Sequence, residues 1–229
     1  MLQVNIGNYI QRCGMWDVMG RYRVIACKVM EEELSVLAPE GYELYFLDQG
    51  LHRSPDRLRQ ALQEAIDGTC GSELVLLGYG FCGGALEGLR AGPAPLIIPK
   101  VEDCIPLLLG SLEARQQWGP DTYFLSAGWL AGEENLVREY ERCLSRYGEE
   151  RGGSLMRQLF RHYRRMVYIN TGRRGEDVAR KAAREAAEKL GLNFEITSGN
   201  KDYLRQLLRG PWDHLFLQVP PGTTFPAIE

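Results

Sequence analysis

The sequence of 229 residues contains few histidines and no pair of cysteines with the spacing of a standard metal motif. There are three histidines and six cysteines, and no two cysteines are separated by two residues. This excludes zinc fingers and zinc ribbons, whose ligands come in such pairs. A Walker GK[ST] loop and a GxSxG motif are also absent. Any metal site must therefore be assembled by the fold from distant segments.

Long apolar stretches and an excess of basic residues are also absent. No apolar run approaches the roughly 20 residues that span a bilayer. The first residues, MLQVNIGNYIQRCG, lack the basic start and apolar core of a signal peptide. The net charge of −3 disfavours nucleic acid as a partner. We therefore expect a cytoplasmic protein with no membrane and no nucleic-acid partner, in which the cysteines stay reduced.

Short apolar runs alternate with helical patterns over most of the chain. This alternation predicts an α/β fold, a Rossmann-like and mostly parallel sheet flanked by helices, with a cleft at the carboxyl ends of the strands. One continuous sheet and two lobes both fit the pattern. The predicted strands are YRVIAC, ELYFLD, ELVLLG, PLIIP, TYFLSA, MVYINT, NFEIT and HLFLQV.

Composition and periodicity divide the chain into five segments. Glycines 148, 152 and 153 predict a break between two helices of the connecting segment. The segments are an N-terminal extension (1–20), a first α/β lobe with the cysteine site (21–131), a helical connection (132–165), a second α/β block (166–219) and an irregular tail (220–229).

Three cysteines lie at or just past the ends of predicted strands. Cys27 ends the first strand, Cys82 lies in the glycine-rich turn GYGFCGG, and Cys104 precedes the apolar helix IPLLLGS. The carboxyl ends of parallel strands face one crevice. We therefore expect three thiols to converge in a metal-thiolate site. The alternative is that they pack as small hydrophobic residues, the role that we assign to the remaining cysteines 13, 70 and 143.

A fourth ligand is needed for a tetrahedral metal. His52 lies in the loop after the second strand, at the same edge of the sheet, and Glu102 lies two residues before Cys104. Either side chain fits as a ligand or as a group that orients one. Zinc is the favoured metal, and an iron–sulfur cluster with one open iron is the alternative.

Two turns suggest ligand binding through the backbone. Gly80 and Gly83 would let the chain approach a ligand closely, although the dinucleotide fingerprint GxGxxG lacks its usual context here. Thr171 and Gly172 follow the MVYIN strand and open a helix, where amides can cradle an anion. A solvated turn is the alternative for the second segment.

The segments LHRSP, LGYGFCGG and IPKVEDCIPLLLGS resemble the domain-of-unknown-function family numbered sixteen-thirty-eight, from anaerobic bacteria and methanogenic archaea. The resemblance covers roughly 21–219, and the family's cysteines match Cys27, Cys82 and Cys104. Many members have histidine at the position of Glu102, and this departure leaves the fourth ligand open. Members are often encoded near corrinoid proteins and their methyltransferases. The resemblance implies corrinoid as a cofactor and such proteins as partners.

Three functions remain open at this point. The first is a metal-thiolate protein of anaerobic one-carbon metabolism, an enzyme or accessory factor in corrinoid-dependent methyl transfer. The second is a non-catalytic protein that binds a small molecule, an anion or a corrinoid and has structural cysteines. The third is a cysteine-nucleophile or redox enzyme. The oligomeric state is also open, with a homo-oligomer as one option.

Overall fold

The structure is a computed structural model that describes residues 22–69 and 71–225. The predicted extension 1–20, cysteines 13 and 70, and the last four residues lie outside this part. No helix in the described part has the length and apolar character to cross a membrane. The strands are β1 (Tyr22–Cys27), β2 (Tyr42–Leu47), β3 (Leu74–Gly78), β4 (Leu96–Pro99), β5 (Thr122–Ser126), β6 (Arg165–Asn170), β7 (Asn193–Ser198) and β8 (Phe216–Val219).

Helices connect most of the strands. Three short 3-10 turns, at Lys28–Met30, Gln49–Arg53 and Cys82–Gly84, follow β1, β2 and β3. The α-helices are α1 (Glu31–Leu37), α2 (Pro55–Asp67), α3 (Ile105–Leu109), α4 (Leu112–Gln116), α5 (Ala127–Ala131), α6 (Leu136–Tyr147), α7 (Glu149–Leu159), α8 (Glu176–Leu190) and α9 (Asp202–Arg209).

The described strands form two sheets. The first has the order β2-β1-β3-β4-β8, and the second has the order β5-β6-β7. All neighbouring strands are parallel except β8, which runs antiparallel to β4. The predicted α/β fold with mostly parallel sheets flanked by helices is confirmed, and the arrangement has two sheets rather than one continuous sheet.

The order of the first sheet reverses at β1. The chain passes from β1 to β2 on one side and then crosses back, so that β3 pairs with the other side of β1. In open parallel sheets the connections diverge at such a point and leave a crevice at the carboxyl ends of the strands. The end of β1 and the loop after β3 border this crevice.

Strand pairing crosses the segments predicted from the sequence. β5 falls within 21–131 but pairs with β6, and β8 falls within 166–219 but pairs with β4. An apolar run identifies a strand, whereas its partner depends on tertiary packing that the run does not encode.

The sequence predicts a break between two helices over glycines 148, 152 and 153, but in the structure the break lies at Gly148 alone. Helix α7 begins directly after Gly148 and contains both Gly152 and Gly153. A Cβ atom at Gly152 would lie 2.8 Å from the carbonyl oxygen of Cys143 in α6. Glycine is therefore present because the two helix backbones pass close to each other, not because the helix ends there.

Helix α2 shows how local signals and packing agree. The Ser54 hydroxyl caps its first turn and Pro55 occupies the first helical position. Leu58, Leu62 and Ile66, spaced four residues apart, are fully buried in the core of the first sheet. This helix fixes the loop that precedes it, which carries His52, at the carboxyl edge of the sheet.

The predicted irregular tail is anchored where the structure describes it. The Phe225 side chain is buried, and its backbone N–H donates to the carbonyl oxygen of Leu89 at 2.7 Å. Thr224 forms an isolated antiparallel bridge with Arg90. The tail therefore covers the segment that follows the glycine-rich turn.

Candidate functional site

The carboxyl ends of all four parallel strands of the first sheet contribute polar side chains to one region. We call Cys27, Cys82 and Cys104 the thiol cluster. The strand ends predicted for these cysteines are confirmed. The polar side chains are Cys27 at the end of β1, Asp48 and His52 after β2, Tyr79 and Cys82 after β3, and Cys104 after β4.

Cys27 and Cys104 are buried, Cys82 is half-buried, and the three thiols lie within electrostatic reach of one another. Burial raises the pKa of Cys27 and the pKa of Cys82 to about 12, and raises the pKa of Cys104 well above its ordinary value. A negative charge on Cys27 would raise the pKa values of Cys82 and Cys104 further. All three are therefore neutral thiols near pH 7 in the metal-free protein.

A neighbouring hydrogen-bond donor lowers the pKa of each thiol and acts against the effect of burial. An ionised sulfur accepts hydrogen bonds much more strongly than a thiol does. The surroundings are therefore suited to thiolates that carry a compensating positive charge. The donors are the Val29 amide for Cys27, the Gly80 amide for Cys82 and the Trp129 side chain for Cys104.

One ring nitrogen of His52, Nε2, has no hydrogen-bond partner among the described residues. Its Nδ1 atom lies 3.1 Å from the carbonyl oxygen of Gln49, and since a carbonyl only accepts, Nδ1 carries the hydrogen. Its Nε2 atom is buried and has no hydrogen-bond partner among the described residues. Burial lowers the pKa of the ring and outweighs the Gln49 hydrogen bond and the charge of Asp103, which raise it. A neutral imidazole held through Nδ1 is the form that binds metals through Nε2.

Tyr79 is a residue of this region that the sequence patterns did not single out. It is fully buried, and the ring centroids of Tyr79 and His52 are 5.9 Å apart in a stacked arrangement. Its hydroxyl has no hydrogen-bond partner within the described residues. Its position in the sequence could have identified it, because it directly follows β3, between Gly78 and Gly80. Residues at the carboxyl ends of parallel strands border the crevice, and this applies to Tyr79 as well as to Cys82.

Two loops are joined so that Cys82 lies beside the loop that carries Cys104. The backbone N–H of Cys82 donates to the carbonyl oxygen of Glu102 at 2.8 Å. A Cβ atom at Gly80 would lie 2.6 Å from the backbone nitrogen of Asp103. Cys82 itself has a φ of +46°, the only positive φ at a non-glycine residue of the described chain. Such a conformation persists only where the surroundings enforce it.

Replacement of Gly80 by alanine is expected to lower the free energy of unfolding by about 2–4 kcal/mol, because the methyl group meets backbone that cannot move aside. Urea unfolding of the purified variant measures this change. Gly92→Ala is the matched control, since its Cβ would have no neighbour closer than 3.5 Å. Equal stability of Gly80→Ala and the wild type would contradict the close contact.

Glu102 reaches the site through its backbone, while its side chain is exposed. Together with Phe81, Asp103, Arg115 and Trp118 it lines a cleft of about 490 Å³, and Phe81 and Asp103 precede Cys82 and Cys104 in the sequence. Ligation by the Glu102 side chain stays a prediction without support from this geometry, which favours His52.

Two turns were predicted to bind a ligand through their backbone, and in the structure their residues contact other residues of the same chain. Gly80 packs on backbone, and Gly83 has a φ of +68°. The Thr171 hydroxyl donates to the buried carboxylate of Glu33 at 2.6 Å. The ligand-binding roles of Gly80, Gly83, Thr171 and Gly172 stay predictions. The amides of the second turn donate to side chains, Gly172 to Asn170, Arg173 to Glu176 and Arg174 to Glu32.

Helix α5 closes the site from the second sheet. A Cβ atom at Gly128 would lie 1.9 Å from the carbonyl oxygen of Val29, so only glycine permits this contact. The same oxygen accepts from Nη1 of Arg173 at 3.2 Å, and the Gln49 amide donates to the carbonyl oxygen of Trp129 at 2.9 Å. These contacts hold the Trp129 ring against His52, with centroids 5.8 Å apart.

The donor set is the one that zinc prefers, but it is not closed into a coordination sphere. Within residues 22–69 and 71–225, no group of three or more His, Cys, Asp or Glu side chains is arranged to hold a metal ion. The three thiols are protonated and pack against their neighbours in the core. Their side chains would therefore have to move together to bind an ion. The identities of the donors, three sulfurs and one imidazole nitrogen, fit a tetrahedral zinc site.

Comparison with protein families identifies the chain. The family described as "Protein of unknown function (DUF1638)" matches residues 46–208, more than half of the chain. This segment contains His52, Tyr79, Cys82 and Cys104, and Cys27 precedes it. No curated protein and no solved structure matches the chain. The chain belongs to the family of unknown function DUF1638.

Proposed function

We propose that the protein is a metal-thiolate protein in which Cys27, Cys82 and Cys104 bind one metal centre and the Nε2 atom of His52 supplies the fourth ligand. The proposal is supported by the polar groups around the three sulfurs and by the unpaired nitrogen of His52. A neighbouring donor lowers the pKa of each of the three thiols, and the buried Nε2 atom of His52, at the same carboxyl edge of the sheet, has no hydrogen-bond partner among the described residues.

Charge balance supports a metal rather than free thiolates. Three thiolates in a buried site would be costly without a cation, and this is why the thiols of the metal-free protein stay protonated. A zinc ion compensates two of the three charges, and the surrounding N–H donors stabilise the remaining one. An iron–sulfur cluster held by the same three cysteines is the alternative, and its visible absorption would distinguish it.

We further propose a role in anaerobic one-carbon metabolism, as an enzyme or accessory factor of corrinoid-dependent methyl transfer. Support for corrinoid and for a methyltransferase partner comes from the family resemblance and not from the geometry. A metal at this position would supply Lewis acidity that lowers the pKa of a bound substrate thiol. A small molecule would bind in the cleft lined by Phe81 and Asp103, the residues that precede Cys82 and Cys104 in the sequence.

The pKa values give no support to a cysteine nucleophile. Such a residue needs a thiolate near neutral pH, and its pKa is lowered by its surroundings. In this protein burial raises the pKa of Cys27 and of Cys82 to about 12. A non-catalytic binding protein with structural cysteines remains the competing proposal, and it predicts no metal.

Anaerobic purification followed by metal analysis and a visible spectrum tests the proposal. We expect bound zinc, or an iron–sulfur spectrum, in the wild type and its loss in Cys27→Ser, Cys82→Ser and Cys104→Ser. Cys143→Ser is the matched control, because that thiol contacts the carbonyl oxygen of Gly152 at 3.5 Å in the α6–α7 pair. Metal contents that are the same in all four variants and in the wild type would contradict the proposal.

A further inference from the structure

The cleft of about 490 Å³ after β4 is lined by charged side chains of both signs. Lys100 directly follows β4, Glu102 and Asp103 come next, and Arg115 lies on α4. None of these four side chains forms an ion pair with another described residue, although arginines elsewhere in the described chain pair with nearby carboxylates. Two basic and two acidic groups therefore line one cavity without neutralising one another.

Arg115 is held by contacts that leave part of its guanidinium group free. Its Nη1 atom donates to the carbonyl oxygen of Trp118 at 3.2 Å, and its Cζ atom lies 4.9 Å from the centroid of the Phe124 ring. The guanidinium makes no other hydrogen bond to a described residue. A guanidinium has five N–H donors in one plane and binds a carboxylate through two of them. Arg115 is therefore preorganised to bind a carboxylate in the cleft.

Apolar side chains form another part of the cleft wall. Two of them are aromatic, Phe81 and Trp118. Each packs on a second ring of the chain, Phe81 on Phe225 and Trp118 on Phe124, and both pairs of centroids are 6.1 Å apart. Small-molecule sites typically combine apolar and aromatic walls with a few charged groups that fix the orientation of the ligand. The composition of this cleft fits a small ligand with both charged and apolar parts.

We infer that the cleft binds a zwitterion of the amino-acid class with an apolar side chain. Lys100 and Arg115 bind its carboxylate, and Glu102 and Asp103 bind its ammonium group. A ligand of one charge would meet two like charges in the cleft, whereas a zwitterion offers each pair an opposite charge. The inference rests on the proposed function for the choice of this cleft, and it does not depend on a bound metal.

Calorimetric titration of the chelator-treated protein with L-phenylalanine tests this inference. Two analogues each lack one charge, since 3-phenylpropionate has no ammonium group and 2-phenylethylamine has no carboxylate. We expect L-phenylalanine to bind about tenfold more tightly than either analogue, because each analogue loses the charge-assisted hydrogen bonds of one end.

Two variants assign the two ends of the ligand. The side chains of Lys100 and Glu102 make no hydrogen bond or ion pair with a described residue, so both variants should fold. Lys100→Gln should weaken the binding of L-phenylalanine and 3-phenylpropionate but not that of 2-phenylethylamine. Glu102→Gln should weaken the binding of L-phenylalanine and 2-phenylethylamine but not that of 3-phenylpropionate. Lys181→Gln, on an exposed position of α8, is the matched control and should bind all three compounds as the wild type does.

The outcomes separate this inference from the proposed metal centre. Equal affinities for L-phenylalanine and 3-phenylpropionate would overturn the inference in favour of a simple anion site. Absence of binding of both L-phenylalanine and L-leucine at millimolar concentration would also overturn it and would leave the metal centre untouched. An equal loss of affinity in Lys100→Gln and Lys181→Gln would place the ligand outside the cleft. Selective binding of the zwitterion by a protein that retains no metal would support the inference even where the metal-thiolate proposal fails.

Discussion

Replacement of Cys104 by serine is expected to weaken Zn²⁺ binding by about 100- to 1,000-fold. Structural zinc sites bind their ion with about 10–16 kcal/mol near neutral pH, which corresponds to about 2.5–4 kcal/mol for each of four ligands. That amount converts to the expected change in dissociation constant. Serine keeps most of the shape of cysteine but is a poor ligand because its hydroxyl does not ionise near neutral pH. Anaerobic competition with a chromophoric chelator measures the affinity.

The comparison needs a variant that changes a cysteine outside the site. Cys143→Ser serves this purpose because Cys143 lies on α6, and its sulfur contacts α7. Circular dichroism of both variants shows whether the fold survives, since Cys104 is 4% exposed and its replacement buries a hydroxyl. If folded Cys104→Ser binds Zn²⁺ as tightly as Cys143→Ser does, Cys104 is not a ligand.

The second large effect is that of pH on metal affinity. Zn²⁺ binding is expected to release about three protons, so the association constant should rise by about 1,000-fold per pH unit near neutral pH. The thiols supply these protons, since burial raises the pKa of Cys27 and of Cys82 to about 12 and that of Cys104 well above its ordinary value. His52 supplies none above its lowered pKa. Because protons are products, raising the pH favours the metal-bound state.

Calorimetry in buffers with different ionisation enthalpies counts these protons directly. Cys82→Ser should release about two protons instead of three, because one thiol is gone. Release of one proton or fewer by the wild type would mean that the thiol cluster does not ionise on binding, whatever the measured affinity.

The sequence was sufficient to predict where the cysteines lie. Cys27, Cys82 and Cys104 each follow an apolar run too short for a typical helix, and the structure confirms these runs as β1, β3 and β4. Family membership was also predictable, from the segments around His52, Cys82 and Cys104. Both predictions were possible because the information lies in short segments of the sequence.

Long-range contacts could not be predicted in the same way. Trp129 follows a predicted strand, which allows it either to wall the cleft or to pack in the core, but nothing local to β5 shows that this strand pairs with β6 or that Trp129 contacts His52. The sequence suggests a ligand as the reason for glycine at position 80, whereas the close contact of Gly80 with the backbone of Asp103 joins segments that are far apart in the sequence. The choice of His52 over Glu102 also depends on the folded chain, which buries the Nε2 atom of His52 without a hydrogen-bond partner among the described residues.

Zinc-edge X-ray absorption of the anaerobically loaded wild type tests the central claim most directly, since it reports the ligand atoms themselves. The account predicts a first shell of three sulfur atoms at about 2.3 Å and one nitrogen atom at about 2.0–2.1 Å. A first shell of nitrogen and oxygen atoms without sulfur would contradict it and would leave the thiol cluster as part of the hydrophobic core.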